Sequence, residues 1–244
     1  MMTYDQARGL LDKHRQRHVL KFWPELSEPR RENLLEQVEN IDFKSVARMQ
    51  KLLESNDHGA QDDFEPADVM DLETAASAGY RKEGENALSQ GKVAVLLVAG
   101  GQGSRLGFDG PKGAFPAGPV SGAPLFSIHS RKVLALQRKF GSAVPFYIMT
   151  SRTNDADTRS FFEKNGFFGL DKENVEFFIQ GMWPALDKKG RLILDKPDHI
   201  FVSPDGHGGT LEALKVNRVF DDMSRRGIET VFYFQVDNPL VDVA

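Results

Sequence analysis

From residue 93 onward, short apolar runs alternate with amphipathic stretches, a pattern that predicts strands and helices in turn. Val93 to Val98 is apolar at every position and rich in β-branched residues, as expected of a strand covered on both faces. Val144 to Met149, Val175 to Ile179 and Thr230 to Val236 read as further strands, the last of them buried. Between them Leu125, Ile128, Val133, Leu136 and Phe140 share one side of a helix over 124–140 that Gly141 ends, and Asp155 to Lys164 forms a shorter one. Leu211 to Arg226 is predicted as a single helix, begun by Thr210 as its cap and closed by Gly227. Asp187 to Gly190 reads as a turn between two extended pieces. Strand and helix joined by short connections imply a doubly wound, mostly parallel α/β sheet, whose ligands sit at the carboxyl ends of the strands.

The first 55 residues carry a different rhythm. Leu34, Leu35, Val38 and Ile41, then Val46, Met49, Leu52 and Leu53, are spaced for the buried stripes of helices. Asp57 to Glu73 is acidic and contains Pro66, so it reads as a connecting arm. The expected organisation is a helical leader and acidic arm over residues 1–90, followed by a nucleotide-binding α/β domain over 91–244. With 244 residues and 40% hydrophobic content the chain can bury a substantial core. Its net charge of −4 argues against a general nucleic-acid or membrane-surface binder, so any affinity for phosphate must be local. The absence of cysteine excludes disulfides and thiolate metal sites. The charged N-terminal residues do not form a secretory signal, and no apolar run approaches the ~20 residues that span a bilayer; the expected location is the cytoplasm.

The chemistry is concentrated after the first strand, in Leu96-Leu-Val-Ala-Gly-Gly-Gln-Gly-Ser-Arg-Leu-Gly-Phe-Asp-Gly-Pro-Lys112. Gly100, Gly101 and Gly103 free the backbone to present N–H groups to an anion, and Arg105 and Lys112 add positive charge beside them. A tight strand-to-helix turn would explain one or two of these glycines, but not three together with both cations. The loop is neither a dinucleotide fingerprint, whose last glycine would fall on Leu106, nor a Walker loop. A dinucleotide-dependent oxidoreductase is further disfavoured because the second strand ends in Thr150-Ser151, without an acidic residue for a ribose. Gln180 ends an apolar strand, where a side-chain amide can pair with an imide-containing base or simply finish the strand. Asp237 follows an apolar run and is either a ligand for a hard cation near phosphates or part of an Asp-Asn-Pro turn. His14, His18, His58, His129 and His199 have no metal-ligand spacing and read as structural or exposed.

The glycine loop with Pro111-Lys112 resembles the signature of the UDP-sugar pyrophosphorylase family, in particular its UDP-N-acetylglucosamine branch. Phe177-Phe-Ile-Gln-Gly-Met-Trp-Pro-Ala185, Ser203-Pro-Asp-Gly-His-Gly-Gly209 and Val236-Asp-Asn238 are similar to its later blocks, in the same order. His18 to Leu26 and Glu39 to Phe43 are similar to its helical leader. The resemblance implies a Rossmann-like, nucleotidyltransferase-type fold and the N-terminal part of such a protein. It implies transfer of UMP from UTP to a sugar 1-phosphate with Mg²⁺, and leaves the oligomeric state open. By the same resemblance Val98, Ala99, Gly100, Gly101, Gln180 and Gly206 would bind the nucleotide, and Arg105 and Lys112 would be catalytic. His207 would meet the sugar phosphate and Asp237 the metal. The N-acetylglucosamine branch has asparagine where His207 stands, and histidine is more similar to the UDP-glucose branch; N-acetylglucosamine 1-phosphate is the expected acceptor, with glucose or N-acetylgalactosamine 1-phosphate as alternatives. A nucleotide-binding protein without the chemistry is the remaining alternative.

Overall fold

The computed structural model describes residues 2–55, 65–71, 73–74 and 79–243, so the first half of the acidic arm expected at 57–73 lies outside the described residues. Thr3 caps α1 (Tyr4–Lys13) reciprocally with Gln6, each side chain accepting from the other's backbone N–H. Two helices follow, α2 (Glu28–Glu39) and α3 (Phe43–Glu54), the second capped by Asp42. After α4 (Tyr80–Ser89) the chain alternates β1 (Val93–Val98), α5 (Leu125–Phe140), β2 (Phe146–Thr150), α6 (Asp155–Lys164) and β3 (Val175–Ile179). Four short strands come next: β4 (Met182–Pro184), β5 (Leu194–Lys196), β6 (His199–Ile200) and β7 (Val202–Pro204). They pair antiparallel, β4 with β7 and β5 with β6. Last come α7 (Thr210–Val216), α8 (Val219–Arg225) and β8 (Thr230–Gln235). None of the described helices is long and apolar enough to cross a membrane.

The chain folds as two compact units, Met1–Ala67 with Met182–Pro204, and Asp68–Gly181 with Asp205–Ala244. These units do not follow the boundary expected at residue 90. In the smaller one the Asp187–Gly190 turn forms as expected, with the Asp187 N–H donating to Arg191 O and Gly190 at φ 72°. Gln16 and Gln50 both donate to Gly190 O, and Gln16 Oε1 accepts from Leu192 N–H at 2.8 Å. Those polar ties, together with Leu192 and Ile200 in the apolar cluster of α1, α2 and α3, place residues 182–204 with the leader.

The larger unit is built on a parallel sheet in the order β3-β2-β1-β8, with Val95 opposite Phe146 and Val98 opposite Gln235. Alternation along β1 divides its side chains between two cores, as the pleat requires. Val93, Val95 and Leu97 pack with Phe126, Val133 and Phe162 of α5 and α6; Ala94 and Leu96 pack with Ala213, Leu214, Val219 and Met223 of α7 and α8. Helices therefore cover both faces, and the doubly wound expectation holds.

Several local expectations do not. The helix expected over 211–226 is broken, because Asn217 turns its side chain to Ile179 O and Ala213 O while Arg218 adopts φ 59°. Gly209, not Thr210, occupies the cap, and the Thr210 hydroxyl is buried without a hydrogen-bond partner among the described residues. β8 is not buried along its length: among the described residues it pairs only with β1, and Val231 and Tyr233 are 38% and 41% exposed. Leu52 and Leu53 are also exposed, so the stripe on α3 ends before them.

Candidate functional site

At the carboxyl end of β1 the chain leaves the sheet through Ala99, which is fully buried and donates its N–H to Met149 O. Beyond it the loop is held by its own backbone: Gly103 N–H donates to Gly110 O, and Lys112 N–H to Gly101 O. Among the described residues the N–H groups of Gly100, Gly101 and Gln102 make no hydrogen bond. That leaves a short run of amides available to an anion. The turn at Ser104–Leu106 carries Arg105 on the surface, where no hydrogen bond or ion pair ties it to Lys112 or Asp237.

Lys112 does not point away from this loop. A Cβ at Gly101 would stand 3.5 Å from Lys112 Cε and 3.6 Å from Nζ, so the lysine lies across that glycine. Its Nζ donates to Asp237 Oδ2 at 3.0 Å, which brings the two expected charged residues together from the glycine loop and the end of β8. Their side chains are 27% and 47% exposed. An ion pair of that exposure contributes at most about 1 kcal/mol, so a phosphate or a cation can replace either partner at little cost.

Gln180 arrives from the end of β3, its N–H bonded to Thr150 O. The carboxamide lies flat over Gly100: an added Cβ there would meet Nε2 at 2.6 Å and Oε1 at 2.9 Å. Only glycine permits that approach. The carboxamide makes no hydrogen bond among the described residues, and both its donor and its acceptor remain available. Val98 stands half-buried at the end of β1.

Gly206 holds φ 70° and ψ −159°, a region essentially closed to other residues, and swings the chain toward His207. Both ring nitrogens of His207 are engaged, Nδ1 with the Tyr233 hydroxyl and Nε2 with Gln235 Nε2 at 2.9 Å. The histidine is thereby tied to β8, and meeting a sugar phosphate would require exchange of one of these partners.

Two residues at this end of the sheet were not singled out by sequence. Asn154 is fully buried and bonds the glycine loop; an asparagine directly before a helix reads as a cap, yet its side chain caps nothing in α6. Asp205 packs its carboxylate against Gly181 and Gly209, leaving Oδ1 buried without a partner among the described residues, and burial raises its pKa. The glycine-rich character of this loop was legible, but not that Gly181 and Gly209 make room for the Asp205 carboxylate.

His129, read as structural, donates its Nε2–H to Val236 O at 2.9 Å and so anchors the residue before Asp237. Burial holds its pKa below the ordinary 6.5, with the bond to Val236 opposing. The unfolded chain therefore takes up a proton that the folded one refuses. His129 contributes full stability above about pH 6.5, and that contribution declines as pH falls from there through the folded pKa. Thermal transitions measured across this range should fall less steeply in His129→Gln than in the unaltered protein; parallel curves would contradict the assignment.

Residues 42–244 match the sequence profile of a family described as UTP--glucose-1-phosphate uridylyltransferase. The chain belongs to this family. Among curated relatives, UDP-N-acetylhexosamine pyrophosphorylase-like protein 1 of Xenopus tropicalis is 36% identical over 259 residues, covering 98% of this chain and 51% of that protein. UDP-N-acetylglucosamine pyrophosphorylase of Saccharomyces cerevisiae is 36% identical over 251 residues, covering 94% and 52%. The solved UDP-N-acetylglucosamine pyrophosphorylase of Trypanosoma brucei superposes with a TM-score of 0.74 at 30% identity, over 99% of this chain and 52% of that one. The chain thus spans about half the length of the curated relatives it matches. The family membership agrees with the resemblance read from the glycine loop and its companion blocks.

Proposed function

We propose that this protein binds UTP and transfers its UMP moiety to a sugar 1-phosphate, forming a UDP-sugar and releasing pyrophosphate. The observation that carries the reading is the position of Lys112, laid across Gly101 beside unpaired loop amides and 3.0 Å from Asp237. In the proposed reaction an oxygen of the sugar phosphate attacks the α-phosphorus in line, one P–O bond forms, and the bond to the departing pyrophosphate breaks. The nucleophile is already an anion, so no general base is required, and positioning with charge neutralisation supplies the catalysis. The loop amides hold the phosphates, Lys112 offsets charge growing at the α-phosphate, and Arg105 on its exposed turn acts on the pyrophosphate. Gln180 reads the base, aided by the backbone of Gly206, while Val98 and Ala99, whose carbonyls already accept from the Val236 N–H and from Asn154, support the loop beneath it; His207 receives the sugar phosphate.

Mg²⁺ is the proposed metal. Among the described residues no group of three or more His, Cys, Asp or Glu could cage an ion, but Mg²⁺ commonly takes one or two carboxylates and completes its shell with phosphate and water. Asp237, partly exposed beside Lys112, fits that demand. When bound, the ion would neutralise phosphate charge.

The names of the Saccharomyces cerevisiae and Trypanosoma brucei proteins favour N-acetylglucosamine 1-phosphate as the acceptor, and His207 keeps glucose 1-phosphate as its competitor. Incubation with UTP, Mg²⁺ and N-acetylglucosamine, N-acetylgalactosamine and glucose 1-phosphates, following pyrophosphate, tests the proposal. Release is expected fastest with N-acetylglucosamine 1-phosphate. Faster release with glucose 1-phosphate would reassign the sugar, and UTP binding without release would leave a nucleotide-binding protein. For the base, Gln180→Ala is expected to cut the preference for UTP over CTP by about tenfold, because a two-point amide contact discriminates by about 1–3 kcal/mol. An unchanged ratio in titration calorimetry would remove Gln180 from base reading.

A further inference from the structure

Glycines give the loop its shape but do not choose which way its peptides face. At Gly100 and Gly101 the backbone adopts alternative peptide orientations at little steric cost, and a reversed peptide would present carbonyl oxygens to a phosphate instead of N–H groups. Asn154 is placed to make that choice. It is fully buried, and its Nδ2 donates to Ala99 O at 2.9 Å and to Gly101 O at 3.2 Å. Its Oδ1 accepts from the N–H and the hydroxyl of Ser151 at 2.8 and 3.0 Å. Both donors and both acceptor sites of the carboxamide are therefore used. No peptide bond among the described residues is cis, and in a trans peptide the C=O and the following N–H point in opposite directions. The Ala99 carbonyl is drawn to Asn154, and the Gly101 carbonyl to Asn154 together with the Lys112 N–H, so the N–H groups of Gly100 and Gln102 must face away from Asn154. Those are two of the three amides left without a partner.

We infer that Asn154 is a positioning residue, which fixes the Gly100 and Gln102 amides in the direction that receives the phosphates of the nucleotide. The inference rests on reading this loop as the phosphate site. It separates from an ordinary buried asparagine that only shapes the turn between β2 and α6, because the two halves of the carboxamide do different things. Asn154→Asp keeps the oxygen that accepts from Ser151 and removes the donor to the loop, whereas Asn154→Ala removes both.

The test compares ¹H–¹⁵N spectra of the full chain without ligand, followed by UTP titration. Both variants are expected to move or broaden the Gly100 and Gln102 amide resonances while those of β1 and β3 stay in place, and Asn154→Ala, which adds no charge, should weaken UTP binding at least about tenfold. Resonances of Gly100 and Gln102 that are unchanged in Asn154→Asp would overturn the inference, since the turn alone would then suffice. Should Asn154→Ala fail to fold, the aspartate variant still decides the matter. If the unaltered protein bound no UTP, the nucleotide reading would fail, while the ligand-free spectra would still report whether Asn154 directs these amides.

Discussion

Replacing Lys112 by methionine is expected to lower kcat for the proposed UDP-sugar formation by about a hundredfold or more, with little change in the thermal transition. The two halves of that expectation come from different physics. A cation aimed at charge that grows only in the transition state is worth most at that moment, and removing one such preorganised donor typically costs about 10²–10³ in turnover. The ion pair with Asp237, by contrast, is partly open to solvent and contributes at most about 1 kcal/mol to folding. A substitution that lowered the melting temperature sharply and spared kcat would invert the account. Lys112→Arg preserves the charge but carries a broad, planar head into the space over Gly101, so only partial recovery is expected.

The largest effect on stability is expected one residue further on. Gly113 lies against the Phe126 ring so closely that an added Cβ would overlap it, and Phe126 is fully buried in the core of the larger unit. Phe126 cannot swing aside, because Phe162 meets it edge-on at 5.0 Å and Phe161 lies at 6.1 Å. Gly113→Ala should therefore destabilise by about 2–3 kcal/mol, a fall in melting temperature of about 4–12 °C for a unit of this size. Trimming the ring in Gly113→Ala/Phe126→Leu should recover part of the loss, since the two positions share one space and their effects do not add. A double variant less stable than the sum of its single changes would show that the clash is not the cause.

The sheet and its first loop were legible because their signals are local. An unbroken apolar run marked β1, and both α6 and β3 fell on the bounds read from the sequence. The glycine cluster and Lys112 lie within one short stretch, and Gln180 and Asp237 each end an apolar strand, so a parallel sheet carries them to the same edge. What escaped depends on contacts between distant residues. The helix over 211–226 has unbroken apolar periodicity, yet the bond from Asn217 to Ile179 O ends its first half. Residues 182–204 belong with the leader through polar ties from Gln16 and Gln50 to one carbonyl, and such ties leave no periodic trace. Asn154 carried only the signal of a helix cap, and its role appears once the carbonyls of Ala99 and Gly101 are beside it.

A crystal structure of the protein with UTP tests the central claim most directly. The triphosphate is expected along the amides of Gly100, Gly101 and Gln102, with Lys112 Nζ released from Asp237 to an oxygen of the α-phosphate and the uracil against Gln180. A nucleotide bound elsewhere, with the Lys112–Asp237 pair intact and the loop amides still unbonded, would contradict it.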